Sequence, residues 1–133
     1  MDAAPTTFTI TNGSLFYECN NTGAPVSLDV KQAGSLLIAT PETVTLLRIF
    51  NGGSVSWKNT PITTLTVFGG GSFDARNGTS QTAVTNINLY QGFSYSDPED
   101  WVVPSNGIDF LGTSPTGGTF NVNKDRTWTS SAL

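Results

Sequence analysis

An all-β fold is predicted, a short β-solenoid of about six two-strand repeats, and three observations predict it. A Gly-Ser-apolar tripeptide or a close variant recurs about every twenty residues, apolar side chains alternate strictly after it, and Gly, Asn and Pro turn signals separate the alternating runs. The recurrences are Gly13-Ser14-Leu15, Gly34-Ser35-Leu36, Gly53-Ser54-Val55, Gly71-Ser72-Phe73, Phe93-Ser94-Tyr95 and Gly118-Thr119-Phe120, in steps of 21, 19, 18, 22 and 25 residues.

Each repeat reads as strand, Gly-rich corner, strand and return loop. The first has Phe8 and Ile10 before its corner, one residue short of the common spacing, and Leu15 and Tyr17 after it. In the second, Leu28 and Val30 precede the corner, and Leu36 and Ile38 follow. The three central repeats agree at four apolar positions upstream of the hydroxyl residue: Val44/Leu47/Ile49/Phe50, Ile62/Leu65/Val67/Phe68 and Val84/Ile87/Leu89/Tyr90. Val55/Trp57 and Phe73/Ala75 then alternate downstream, and Tyr95 follows Ser94. The last repeat has Ile108 and Phe110, a longer insertion, and Phe120/Val122. A period of two with β-branched and aromatic enrichment marks half-buried strands rather than helices. Asn12-Gly13, Asn51-Gly52-Gly53, Gly69-Gly70-Gly71, Asn77-Gly78, Asp97-Pro98, Pro104 and Asn106-Gly107 supply the turns. At the corner a glycine is expected because the backbone there needs positive φ or an approach that a Cβ would block.

Two architectures fit this string. In a solenoid, equivalent residues stack, giving an inner column Leu15, Leu36, Val55, Phe73, Tyr95 and Phe120. In a β-sandwich or jelly roll the same strands pair antiparallel and the repeat echoes hairpin spacing. The residue-level match between 62–73 and 84–95 favours the solenoid. The division expected is an N-terminal arm over 1–7, a repeat domain over 8–122 and a C-terminal tail over 123–133.

Composition narrows the function. Of 133 residues only 12% are charged, against roughly a quarter in ordinary globular proteins, so the surface is neutral and hydroxyl-rich. A net charge of −4, with six scattered basic residues, argues against nucleic acid or an anionic membrane as partner. The single cysteine, Cys19, cannot form an intrachain disulfide and reads as a small buried or half-buried thiol. Residues 1–7 lack a basic stretch followed by an apolar one, so no secretory signal is expected, and the three Asn-X-Ser/Thr sequons carry no weight without one.

No catalytic, cofactor-binding or metal-binding residues are expected. Without histidine there is no Ser-His or Cys-His pair and no His-ligated metal, and one cysteine excludes thiolate zinc sites. Paired carboxylates would have to stand at equivalent positions of neighbouring coils, whereas Asp74 aligns with Ser56 and Ser96, and Asp29 with Arg48 and Thr66. The acidic run Asp97-Pro98-Glu99-Asp100 reads as a solvated turn in a return loop. The glycines at 69–71 lack the lysine and helix of a phosphate-binding loop. An ice-binding face is not expected either, because Thr45, Thr63 and Thr85 fall in phase beside an irregular column of Arg48, Thr66 and Asn88.

The segments Ile62-Thr-Thr-Leu-Thr-Val-Phe-Gly-Gly-Gly-Ser-Phe-Asp-Ala-Arg-Asn-Gly and Val84-Thr-Asn-Ile-Asn-Leu-Tyr resemble the Thr/Asn/Gly-rich strand repeats of small virion proteins of tailed bacteriophages: decoration proteins, fibres and spikes. The resemblance spans roughly residues 26–96 and extends to bacterial β-solenoid adhesins. It implies a non-enzymatic structural protein on the capsid exterior, a decoration or cement protein that binds the coat lattice. The partners implied are the major capsid protein or another virion protein, and further copies of the chain, a trimer being favoured. The alternative implied is a carbohydrate- or host-surface-binding module at a fibre or spike tip or in an adhesin.

Phase supplies the candidate contact residues. Two places after the repeat hydroxyl the side chain points outward. Phe16 and Leu37 stand there in the first two repeats, and Ser56, Asp74, Ser96 and Asn121 in the later ones. Two large apolar residues on adjacent coils form a patch, which the arm either covers or leaves open to a partner. Trp101 and Trp128 lie outside the alternating strands. Both are candidates to cap the core or meet a partner, Trp128 as a protein contact and Trp101 as a platform for stacking a ligand. Trp57 falls on the inward phase.

Overall fold

The computed structural model describes residues 7–18, 27–112 and 117–123. Cys19, Trp128, most of the N-terminal arm and residues 124–133 of the tail lie outside the described residues. The strands before each corner are β1 (Thr7–Ile10), β3 (Ser27–Val30), β5 (Val44–Ile49), β7 (Ile62–Val67), β9 (Thr82–Tyr90) and β12 (Ile108–Leu111). Those after it are β2 (Ser14–Tyr17), β4 (Ser35–Ile38), β6 (Ser54–Trp57), β8 (Ser72–Asp74), β10 (Ser94–Asp97) and β13 (Thr119–Val122). One sheet runs β1-β3-β5-β7-β9, with β12 paired to the later half of β9, and the other runs β2-β4-β6-β8-β10-β13.

Every described pairing is parallel, so the chain winds as a β-solenoid and not as an antiparallel sandwich. The register is the one the tripeptide sets: Leu15 lies across from Leu36, Leu36 from Val55, Val55 from Phe73, Phe73 from Tyr95 and Tyr95 from Phe120. Parallel strands need a crossover long enough to return to the same end, and each return here is the opposite sheet plus a loop. A short strand that the alternation does not reveal, β11 (Val102–Val103), pairs with Thr82 and Ala83.

The inward columns of the two sheets meet in one core. Leu28, Leu47, Leu65, Ile87 and Ile108 line one side, and Val30, Ile49, Val67, Leu89 and Phe110 run beside them, all buried. From the facing sheet Phe73, Tyr95 and Phe120 stack ring on ring, with centroids 5.5 and 5.6 Å apart. Between Val44 and Leu47 the alternation breaks: both are buried, while Thr45 is exposed and Leu46 half-buried. The fourth matched position is not core. Phe50, Phe68 and Tyr90 form a ladder near the surface, centroids 4.8 and 4.9 Å apart, with the Lys31 ammonium 5.2 Å from the centre of the Phe50 ring.

At the corner both glycine requirements hold, at consecutive positions. The N–H of Gly53 donates to the carbonyl of Phe50 (2.9 Å), closing a turn whose third residue, Gly52, has φ of 81°. Gly53 itself lies against the coil below, where a Cβ would fall on the Val30 carbonyl oxygen. The corners are cross-linked: Ala33 N–H donates to Gly52 O, Gly52 to Gly70, Gly70 to Gly92 and Gly92 to Gly117, at 2.8–3.1 Å.

Several polar groups pulled into the coil are paired. The buried Trp57 indole N–H donates to the Thr60 carbonyl (2.7 Å), and the Thr60 hydroxyl accepts from the Thr40 N–H (3.0 Å). The acidic run corrects a sequence expectation. Asp97 is fully buried rather than solvated, and its two carboxylate oxygens accept from the N–H groups of Trp101 and Val102, each at 2.9 Å. A short acidic side chain that satisfies two backbone donors stabilises the turn it sits in, the same chemistry that caps helices.

Candidate protein-binding surface

The strand phase places Phe16 on β2 and Leu37 on β4 as cross-strand neighbours on the outer face of the second sheet. Phe16 is 57% exposed, the most exposed large apolar side chain among the described residues, and Leu37 is half-buried beside it. Together with Glu18, Ala39, Pro41, Lys58, Asn59 and Asn77 they line an open concavity of about 520 Å³. The patch lies in the first two coils because there the outward position is apolar; from the third coil on it is Ser56, Asp74, Ser96 and Asn121.

One side of the concavity is held by hydrogen bonds. Asn59, at φ of 56°, accepts the N–H groups of Thr79 and Ser80 on its side-chain oxygen (3.0 and 3.2 Å) and donates to the Thr79 hydroxyl (2.7 Å). Asn77 donates to the Ser56 hydroxyl at 2.9 Å. One return loop is thereby pinned to the next, which holds the Asn59 and Asn77 side of the concavity in place. Sequence reading missed Pro41, Lys58, Asn59 and Asn77 as lining residues, since loop side chains follow no strand phase.

Charge on this face is local. Asp74, next along the outward column from Ser56, pairs with Arg76 at 2.7 Å, and its carboxylate also accepts the Arg76 backbone N–H. The Arg76 hydrogen bond above all holds the Asp74 carboxyl below the usual aspartate range, against the opposing effect of partial burial. A depressed folded-state value stabilises the fold above the unfolded value, and that contribution is lost as pH falls through the folded one. Asp74→Asn should therefore flatten the acid side of the stability profile below about pH 4, where stability is read by denaturant midpoint. The effect should be small, because the pair is exposed to solvent. On the opposite sheet Arg48 makes a two-pronged pair with the nearly buried Asp29, both contacts at 2.8 Å, which raises the guanidinium pKa.

Trp101 is not part of this surface. It is half-buried and packs on the core, with its ring across Gly78, where an added Cβ would meet it at 2.6 Å. Trp128 lies outside the described residues. Among the described residues no group of three or more Cys, Asp or Glu side chains is placed to hold a metal ion. No family model, curated protein or solved structure matches the chain.

Proposed function

We propose that this protein is a non-catalytic structural component of a virus particle, a decoration or cement protein that binds a coat lattice through the Phe16–Leu37 face. One observation carries the reading: an exposed aromatic and a neighbouring aliphatic side chain share a concavity whose Asn59 and Asn77 side is held by hydrogen bonds within the chain. Preformed surfaces bind with little ordering cost. The neutral, hydroxyl-rich exterior and the likeness of the 62–78 and 84–90 segments to phage strand repeats add support.

The test is cosedimentation of the purified chain with undecorated capsid shells, beside a glycan array. Binding to shells without glycan selectivity is expected; selective glycan binding without shell binding would move the function to a fibre tip or adhesin. Burying a Phe and a Leu contributes up to about 1.5–3 kcal/mol each, so Phe16→Ser with Leu37→Ser should weaken shell binding, or trimer assembly, by roughly a hundredfold or more. The melting temperature should stay within about 4 °C of the parent. Lost stability with assembly retained would place the pair in the domain's own core.

A further inference from the structure

The chain contains four Asn-Gly pairs among the described residues: Asn12-Gly13, Asn51-Gly52, Asn77-Gly78 and Asn106-Gly107. Such a pair can react with itself. The glycine amide nitrogen, once deprotonated, attacks the asparagine side-chain carbonyl carbon. A C–N bond forms, ammonia leaves, and a five-membered succinimide remains. Water then opens the ring at either carbonyl, giving aspartate or β-linked isoaspartate. The net change is Asn plus water to Asp plus ammonia, with no oxidant or enzyme. Two structural conditions govern the rate: the glycine N–H must be free to lose its proton, and the backbone must be free to turn the nitrogen onto the side chain.

All four asparagines are exposed, so exposure does not separate them. The glycine N–H groups do. Gly52 donates to Gly70 O (3.0 Å) in the corner ladder, Gly78 to Ala75 O (3.1 Å) and Gly107 to Pro104 O (2.9 Å). Two of the side-chain amides are also tied, Asn77 to Ser56 and Asn106 to Asn86. Gly13 has no acceptor for its N–H among the described residues, and Asn12 has no partner for its side-chain amide there. A Cβ built at Gly13 would meet nothing nearer than the Thr11 carbonyl at 3.9 Å, whereas at Gly78 it would strike Trp101.

The difference follows from the short first repeat. Ile10 pairs with Val30 and Ser14 with Ser35, so three residues span the first corner where four span the second. In the four-residue corners the glycine position closes the turn, as Gly34 does on Lys31 O (2.7 Å) and Gly71 on Phe68 O (2.9 Å). A three-residue corner has no such bond to make. We infer that Asn12 is a self-modifying site, converting through a succinimide with Gly13 to aspartate and isoaspartate, while the other three pairs are protected by the fold.

The experiment is timed incubation of the folded, full-length protein in mildly alkaline buffer, followed by peptide mapping with two proteases and mass spectrometry. Each conversion adds about one dalton, and isoaspartyl methyltransferase labels the β-linked product. Conversion at Asn12 is expected to run roughly tenfold or more ahead of Asn51, Asn77 and Asn106, since those glycines react only from locally opened states. In strong denaturant the four rates should converge, and Gly13→Ala should slow the folded-state reaction at Asn12. Equal rates in the folded protein, or a faster rate at any of the other three, would overturn the assignment. So would a rate gap that persists unchanged in denaturant.

Discussion

Gly53→Ala should destabilise the protein by about 3 kcal/mol or more, although it adds only one methyl group, at a corner buried against the coil below. The added carbon would sit on the Val30 carbonyl oxygen, and that oxygen cannot give way, because it already accepts the Phe50 N–H at 2.8 Å. Relief requires the third coil to lift off the second, which breaks the β3–β5 and β4–β6 pairings together. Gly13→Ala is the matched control. Nothing crowds that position, and alanine there should change stability by less than about 0.5 kcal/mol, or raise it slightly by restricting the unfolded chain. Denaturant titration of the two variants measures the contrast, and equal midpoints would show that corner packing does not constrain the coil spacing.

Phe73→Ala should cost about 3–5 kcal/mol, the range for removing a fully buried aromatic side chain. Its ring lies 5.5 Å from Tyr95 and 6.2 Å from Trp57, with Val55 directly below, so the void opens into the coils on both sides. Asp74→Ala, one residue on, removes only a solvent-exposed ion pair and one backbone contact, and should cost less than about 1 kcal/mol. Comparable losses at the two positions in a thermal melt would contradict the inward phase of β8.

How far the fold can be read from the sequence depends on whether a residue's role recurs. Phe73 is legible because Val55 and Tyr95 occupy the same place in their own repeats, and the column from Leu15 to Phe120 follows from the tripeptide alone. Phe16 and Leu37 are legible for the same reason, as the apolar members of an otherwise polar outward column. Asp97 is not. Its burial comes from a turn in which two consecutive N–H groups converge on one carboxylate, and the residue at the same place in the neighbouring repeat is Ala75, so no column announces it. Trp101 and Gly78 likewise meet across two loops of different length, and β11 is too short to show alternation. The break between Val44 and Leu47 is visible as a spacing of three. Its meaning, a bend that turns Thr45 and Leu46 outward in succession, needs the neighbouring coils to fix it.

The parallel one-coil offset also sets an order in time. Each strand pairs only with strands one repeat away, so no contact in the sheets waits for a distant part of the chain, and loop-closure entropy is met in small, equal instalments. A coil newly synthesised can dock on the one before it while the rest of the chain is still being made. The first coil is the poorest template, with Leu15 and Tyr17 only half-buried, and the aromatic stack from Trp57 through Phe120 is the richest. Growth therefore starts in earnest at the third and fourth coils and zips outward in both directions, and amide exchange in the native protein should be slowest there and fastest at the two ends.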